Sequence, residues 1–282
     1  METRPDPVGD LLHCLALEPL DRDLFLGDPG PGSGRLFGGM VAAQCVMAAS
    51  RTVDDDRSLH SLHAYFPRPG RHESPIRFVV HRIRDGRSFT TRRVVAHQSG
   101  EAIFNLSASF AVPEEGISHQ EEMPRVPPPE DCVDWEQFRA KSFGHEDVIA
   151  PSAVEVRLID PIDMTMPEPC APVQQSWMRL RAPLPEDPRL HIAALVYATD
   201  RTLLGTAARP HAIPWRERMA ASLDHAVWIH RPIELSDEWI LYASESPAAH
   251  AARGLIFGGL FRPDGERLAS VAQEALIRRK RT

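Results

Sequence analysis

The same order of predicted helix and strands occurs twice in the sequence, and the second copy follows the first at a spacing of a little more than half the chain. Arg68-Pro69 recurs as Arg231-Pro232, and Gly100-Glu101 recurs as Gly265-Glu266 at nearly the same offset. In each half, one apolar helix precedes four segments that read as β-strands. A single repeat of this length predicts two copies of one domain, because solenoids and propellers repeat every ~20–50 residues.

The predicted helices are apolar nearly all round, which indicates central, buried positions. They span about 40–52 in the first half and 191–204 in the second. The strands predicted after these helices, separated mainly by Gly- or Pro-containing turns, are 60–68, 76–84, 88–98, 102–112, 222–229, 239–246, 251–261 and 268–278. Each half therefore reads as one long helix lying on an antiparallel sheet.

A proline-rich, acidic segment separates the two halves. It contains the run Met-Pro-Arg-Val-Pro-Pro-Pro-Glu-Asp at 123–131, a composition poorly suited to a core. We predict an N-terminal domain over 1–112, an exposed linker over 113–150 and a C-terminal domain over 151–282, the last carrying the catalytic residues.

Composition excludes several classes of protein. A formal net charge of −7 argues against sequence-independent nucleic-acid binding, which depends on basic surface. No apolar run approaches the ~20 residues of a membrane span, and the N-terminus lacks the apolar stretch of a signal peptide. The four cysteines form no C-x-x-C pair, which favours reduced thiols and a cytoplasmic location.

Three polar residues interrupt segments that otherwise read as buried. They are Asp200 near the end of the second helix, Ser222 at the start of a strand, and Gln273 in the last strand. A carboxylate, a hydroxyl and an amide can together hold and deprotonate one water molecule. The offset between the two Gly-Glu pairs places Ala108 at the position equivalent to Gln273, so the first copy lacks this set.

Each of these residues also has a purely structural interpretation. Asp200 could be a helix-terminal residue turned to solvent, although a negative charge is disfavoured near a helix C-terminus. Ser222 could cap a strand, and Gln273 could bridge backbone groups. A local Ser-His-Asp triad is not expected, because in a continuous strand Ser222 and Asp224 share one face while His225 points away. The nucleophile elbow Gly-x-Ser-x-Gly is absent from the sequence.

Six segments carry a resemblance to a known family, in colinear order over nearly the whole chain. They are Leu-Phe-Gly-Gly-Met-Val at 36–41, His-Ser-Leu-His-Ala-Tyr-Phe-Pro-Arg-Pro-Gly at 60–70, Arg-Asp-Gly-Arg-Ser-Phe at 84–89, Tyr-Ala-Thr-Asp at 197–200, Leu-Asp-His-Ala-Val-Trp-Ile-His-Arg-Pro at 223–232, and Val-Ala-Gln-Glu at 271–274. The chain resembles the TesB-like acyl-CoA thioesterases, the acyl-CoA thioesterase II family.

The resemblance implies an α+β double hotdog, in which each of two tandem repeats wraps an antiparallel sheet around a long helix. It implies hydrolysis of fatty acyl-CoA to free acid and coenzyme A without a metal or other cofactor. The family's catalytic positions correspond to Asp200, Ser222 and Gln273. Ser222 stands where the family often has threonine, and Met40 stands where it often has glutamine. Hotdog sheets commonly pair between subunits, so a homodimer or a dimer of dimers is expected.

Two further positions are predicted to bind substrate, Gly39 and His60. Free N–H groups at the start of the helix at Gly38-Gly39 could polarise the thioester carbonyl, or the glycines could only allow close packing. His60 and His63 are three positions apart, a spacing that on a strand does not favour a shared metal. The arginines at 82, 84, 87, 92 and 93 could pair with coenzyme A phosphates or form a solvated edge.

Two alternative functions remain open from the sequence. One is a hydratase or dehydratase of the same fold, which would use an Asp/His pair, and no histidine partner for Asp200 is evident. The other is a non-catalytic acyl-CoA binding module, which would have no use for an aligned water.

Overall fold

The computed structural model describes residues 6–143, 152–235 and 238–280. In the first repeat, helix α1 spans Pro7–Leu15 and helix α2 spans Gly38–Ser50. The strands of this repeat are β1 (Glu18–Asp21), β2 (Leu24–Gly27), β3 (Ser58–Tyr65), β4 (Ile76–Asp85), β5 (Phe89–Gln98) and β6 (Glu101–Ala111).

The second repeat contains three helices, α3 (Trp135–Phe143), α4 (Pro188–Thr199) and α5 (Leu203–Ala208). Its strands are β7 (Val133–Asp134), β8 (Val154–Ile159), β9 (Val173–Leu180), β10 (Arg218–Ser222), β11 (Asp224–Ile229), β12 (Ile240–His250), β13 (Arg253–Phe261) and β14 (Arg267–Arg279). Single 3₁₀ turns occur at Pro129–Asp131, Arg209–His211 and Trp215–Glu217.

Within the described residues, all strands belong to one continuous antiparallel sheet. The order is β1-β2-β4-β5-β6-β3-β11-β14-β13-β12-β9-β8-β7, and β10 pairs with β14 beside β11. The two repeats join where β3 pairs with β11, with Leu62 opposite Val227. Both residues are fully buried, so the core is continuous across the junction.

Helices α2 and α4 lie side by side in this core. Almost every residue of both is buried, from Val41 to Ser50 in α2 and from His191 to Thr199 in α4, and they share one apolar cluster with the inner face of the sheet. The predicted pair of buried helices, each lying against antiparallel strands, is therefore confirmed.

Several boundaries differ from the sequence prediction. Helix α4 ends at Thr199, and α5 is a separate helix, because Asp200 to Thr202 form a turn. Strands β1, β2, β8 and β9 were not predicted. They lie toward the two ends of the sheet and precede α2 or α4 in the chain, whereas the predicted order places each helix before its strands.

The predicted linker is not uniform. Residues 112–128 contain no helix or strand and are mostly exposed, as expected. After them, β7 and α3 pack on the second repeat: Ala140 is buried, and Trp135 and Phe138 contact the main core. The Trp177 indole N–H also donates a hydrogen bond to the Pro127 carbonyl, at 2.8 Å. Residues 144–150 of the predicted linker lie outside the described residues, and the boundaries at 113 and 150 remain predictions.

Candidate active site

Asp200 caps the C-terminus of α4 and faces the start of α2. Only 7% of its surface is exposed. A Cβ atom at Gly39 would lie 2.7 Å from the Tyr197 carbonyl oxygen, and one at Gly38 would lie 3.0 Å from Asp200 Oδ2. The two glycines thus allow the N-terminus of α2 to approach the end of α4 closely, and the Gly39 N–H reaches the Asp200 carboxylate.

A one-residue bulge separates β10 from β11. Ser222 is opposite Ala275 in β14, whereas Ala226 is opposite Ala272, so three residues on one strand face two on the other. The extra residue is stabilised because Leu223 N donates to the Glu274 carbonyl at 2.9 Å and the Asp224 carboxylate accepts from Glu274 N at 2.6 Å. Bulges of this kind redirect side chains near functional sites.

The bulge brings the three predicted residues together. The Ser222 hydroxyl donates to Asp200 Oδ1 at 3.1 Å, and the Gln273 Nε2 amide donates to Ser222 Oγ at 3.1 Å. Gln273 is completely buried in β14. A carboxylate, a hydroxyl and an amide therefore form one chain of hydrogen bonds, and their role in holding a water remains a prediction.

The prediction that His225 points away from this group is wrong. His225 is 1% exposed, and its Nδ1 lies 2.5 Å from Gln273 Oε1. Its Nε2 lies 2.9 Å from Thr199 Oγ1. Strand alternation failed here because it assumes an unbroken strand, and the extra residue of the bulge brings His225 to the same side as Ser222.

The charged groups of the site have shifted pKa values. Burial raises the pKa of Asp200 above its ordinary value of 3.8, although nearby His225, the Ser222 hydroxyl, the Gly39 N–H and the Gln273 amide all act to lower it. Burial also lowers the pKa of His225, although the nearby Asp200 carboxylate acts to raise it. A raised pKa brings a carboxylate closer to the range in which it can act as a general base.

A cleft of about 230 Å³ opens directly onto Asp200 and Ser222. Its walls combine apolar groups from both repeats with three arginines, Arg35, Arg68 and Arg201. A second, mainly apolar cavity of about 130 Å³ adjoins it and shares Arg201 and Leu204. Its lining includes Trp135, Leu158, Met164, Ile213 and Trp215.

Other residues singled out in the sequence lie in different places. Gly39 is at the site, whereas His60 is not. His60 bonds Ser109 at 2.8 Å and packs edge-on against the exposed Phe89, on the outer face of the sheet away from α2. His63 packs against Trp228 on that same face.

The arginine-rich hairpin of β4 and β5 is also remote from the cleft. Arg92 is 1% exposed and bonds Thr52 and Asp85, and Arg82 pairs with Asp23. These two arginines are occupied by the protein itself, which supports the structural interpretation of the hairpin. In the described part of the chain, no group of three or more histidine, cysteine, aspartate or glutamate residues is arranged to hold a metal ion.

Comparison with known families gives matches over both repeats. The family model described as acyl-CoA thioesterase matches residues 167–276, which include Asp200, Ser222 and Gln273. The model described as acyl-CoA thioesterase N-terminal domain matches residues 27–111.

Individual relatives match over nearly full length. Acyl-coenzyme A thioesterase 8 of Mus musculus is 39% identical, covering 98% of this chain and 93% of that protein. Acyl-CoA thioesterase 2 of Haemophilus influenzae is 37% identical, covering 97% and 98% respectively. The crystal structure of an acyl-CoA thioesterase II, TesB2, from Mycobacterium marinum matches with a TM-score of 0.79 and 42% identity, covering 96% of this chain and 97% of that one.

Proposed function

The chain belongs to the acyl-CoA thioesterase family, and on that premise we propose that Asp200, Ser222 and Gln273 activate one water molecule for direct attack on the thioester. The observation that carries this proposal is the continuous chain of hydrogen bonds from Gln273 through Ser222 to Asp200. The chain ends in a buried carboxylate with a raised pKa, and the cleft opens onto that carboxylate.

The proposed reaction uses Asp200 as the general base. The carboxylate takes a proton from water as the water oxygen bonds to the thioester carbonyl carbon, so the carbonyl electron pair moves onto oxygen. When the carbonyl re-forms, the C–S bond breaks and coenzyme A leaves as a thiolate, which takes up the proton held by Asp200 and so restores the carboxylate. Gln273 has a second amide hydrogen besides the one given to Ser222, and this hydrogen can orient the water.

The start of α2 has a second role in this proposal. Its first N–H groups lack intrahelical partners, and the helix dipole places partial positive charge at Gly38 and Gly39. Developing negative charge on the thioester oxygen is stabilised by such a positive end. We therefore place the carbonyl of the substrate against the start of α2 beside the Gly38 N–H. Gly39 acts as a substrate-binding residue through the positive end of the helix, since its own N–H is given to Asp200.

The two cavities provide space for the two ends of the substrate. Arg35, which lines the cleft, suits the phosphates of coenzyme A, whereas Arg68, which also lines it, already pairs with Glu101 at 3.1 Å. The apolar cavity on the other side of Leu204 suits the acyl chain, because its walls are mostly hydrocarbon and it shares Arg201 and Leu204 with the cleft.

The geometry also separates this function from its two alternatives. A hydratase or dehydratase needs a histidine with a nitrogen free to exchange a proton with substrate, and both ring nitrogens of His225 are occupied by protein groups. A simple binding module has no need for a buried carboxylate that is aligned by a hydroxyl and an amide.

We also propose the finer features expected from the sequence. The proposed domain boundaries at 112/113 and 150/151 leave the mostly exposed residues 113–128 between the repeats, and limited proteolysis tests them. A homodimer or dimer of dimers is testable by light scattering. A cytoplasmic location agrees with the free state of all four cysteines. No described helix is both long and apolar enough to cross a membrane.

The decisive experiment compares wild type with Asp200→Asn in a palmitoyl-CoA assay for free thiol. We expect turnover to fall roughly 10²–10⁴-fold, the usual contribution of general-base catalysis. Asp54→Asn, at an exposed position after α2, is the matched control and should keep full turnover. Hydration of crotonyl-CoA without thiol release would favour the hydratase, and unchanged turnover in Asp200→Asn would exclude Asp200 as the base.

A further inference from the structure

His225 is the one buried histidine that contacts the proposed catalytic group within the described residues. It does not meet the cleft, and the two polar contacts of its ring use both nitrogens. Because neither ring nitrogen is free for water or substrate, any effect of His225 on catalysis has to pass through a neighbouring side chain. That neighbour is Gln273, at 2.5 Å.

The direction of the hydrogen bonds defines what His225 must supply. An ionised Asp200 can only accept, so the Ser222 hydroxyl donates to it and the Ser222 oxygen accepts from Gln273 Nε2. The Gln273 amide is then oriented with Oε1 toward His225, and an amide oxygen needs a donor. The arrangement is consistent only if His225 carries its proton on Nδ1.

Thr199 contacts the other ring nitrogen of His225. Its hydroxyl lies 2.9 Å from His225 Nε2 and the same distance from the Val196 carbonyl. The Thr199 hydroxyl has one proton, which can go either to the Val196 carbonyl or to His225 Nε2. In a neutral ring with its proton on Nδ1, Nε2 can only accept, so in this state the Thr199 proton is directed at Nε2 rather than at the carbonyl. The donors then run in one direction, from Thr199 through His225, Gln273 and Ser222 to Asp200.

The first repeat serves as an internal comparison. By the offset between the two Arg-Pro pairs His225 corresponds to Leu62, and by the offset between the two Gly-Glu pairs Gln273 corresponds to Ala108. Leu62 and Ala108 are cross-strand neighbours in β3 and β6, and both are buried. The fold therefore fills this position with an apolar pair where no catalytic group is present, and the polar pair occurs only in the repeat that carries Asp200.

We infer that His225 is a positioning residue, which fixes the Gln273 amide with its N–H groups toward Ser222 and the attacking water. This inference rests on the proposed function. Without the donor at Nδ1, the Gln273 amide can rotate by half a turn and present its oxygen to Ser222. Two acceptors, Gln273 Oε1 and Asp200, would then compete for one hydroxyl proton, and the water would lose its amide donor.

The test uses three substitutions of His225 that separate its two nitrogens. Asparagine places an N–H near the position of Nδ1, glutamine places one near Nε2, and leucine reproduces the first repeat. We expect His225→Asn to keep turnover within roughly threefold of wild type. Both His225→Gln and His225→Leu should lower kcat, with KM for palmitoyl-CoA unchanged, by up to ~10²-fold, the usual effect of a small misplacement of a reacting group.

A double-substitution cycle distinguishes positioning from an independent role. In a Gln273→Ala background, His225→Leu should cost nothing more, because the group that it positions is gone. His230→Leu is the matched control, since His230 lies just after the same strand and bonds Ser270 on the exposed side. It should leave kcat unchanged.

Two patterns of lost activity would overturn the inference. One is an equal loss of kcat in the Asn and Leu variants, and the other is a full loss on His225→Leu in the Gln273→Ala background. If the Leu variant fails to fold, the comparison of Asn with Gln decides between the same outcomes. Wild-type turnover in all His225 variants, with Asp200→Asn inactive, would exclude the positioning role of His225 but leave the proposed function intact. No thiol release by the wild-type protein would exclude the proposed function itself.

Discussion

The backbone N–H of Gly39, in the first repeat, interacts with the carboxylate of Asp200, in the second. Asp200 caps the C-terminus of α4, where the helix dipole disfavours negative charge. The positive start of α2 offsets this, because the glycines allow the two helix ends to meet. The first repeat thus contributes to the site although it lacks the three catalytic residues.

The raised pKa of Asp200 predicts how activity depends on pH. The base acts only when ionised, so kcat/KM should fall as pH decreases through a value above the ordinary 3.8. The Ser222 hydroxyl lowers this pKa, so Ser222→Ala should move the acid limb to higher pH. Rate profiles of wild type and Ser222→Ala measure both effects. An acid limb at the ordinary aspartate value would contradict the burial of an ionised Asp200.

The same shift predicts the effect of Asp200→Asn on stability. Because the folded-state pKa is raised, folding favours the protonated form, and the stability it contributes is lost as pH rises from 3.8 through the folded value. At neutral pH the buried charge is therefore a cost. Asp200→Asn should melt at the wild-type temperature or above it at pH 7 in a thermal unfolding scan, and a marked decrease would be inconsistent with this sign.

Substitutions of Ser222 test whether the hydroxyl holds water or attacks the substrate. Its oxygen contacts Asp200 and Gln273, and His225 does not reach it. Ser222→Thr keeps the hydroxyl and should be tolerated, whereas Ser222→Ala should slow turnover but leave measurable activity. Mass spectrometry of enzyme quenched during turnover should show no added acyl group. An acyl adduct on Ser222, formed as fast as turnover, would replace the water mechanism with a covalent one.

Substitution of Gly39 tests the close approach of the two helices. A methyl group there would lie 2.7 Å from the Tyr197 carbonyl oxygen, so Gly39→Ala should force α2 away from Asp200. We expect a loss of about 1–3 kcal/mol in the free energy of unfolding, as for overpacked cores, together with a lower kcat. Gly116→Ala is the control, since nothing lies within 4 Å of its added Cβ. Equal stability of Gly39→Ala and Gly116→Ala would show that a methyl group fits between the ends of α2 and α4.

Leu204 lies between the cleft and the apolar cavity, so its size should control acyl-chain length. Leu204→Trp should raise KM for palmitoyl-CoA roughly tenfold or more, because each CH₂ kept from the cavity forfeits ~0.8 kcal/mol. KM for butyryl-CoA should change little. Leu204→Ala, which removes bulk at the same position, should not show this selective loss. A uniform effect on both substrates would place the acyl chain elsewhere.

Much of the fold was predictable because hydrophobic periodicity is a local property. The apolar helices at α2 and α4 and the main strands of both halves follow from residue patterns alone, and the repeat spacing predicts that they form twice. Strands β1, β2, β8 and β9 were missed because they precede α2 or α4, and the repeated order of one helix followed by four strands does not include them.

The sequence alone determined which polar residues stand out from the apolar segments, and Asp200, Ser222 and Gln273 do meet in space. Only the tertiary structure decided that His225 joins them and that His60 does not. The single bulged residue Leu223 changes the face of the sheet on which each later side chain of the strand lies. The bulge results from the pairing of β10 and β11 with β14, about 50 residues later in the chain, so local sequence patterns do not reveal it.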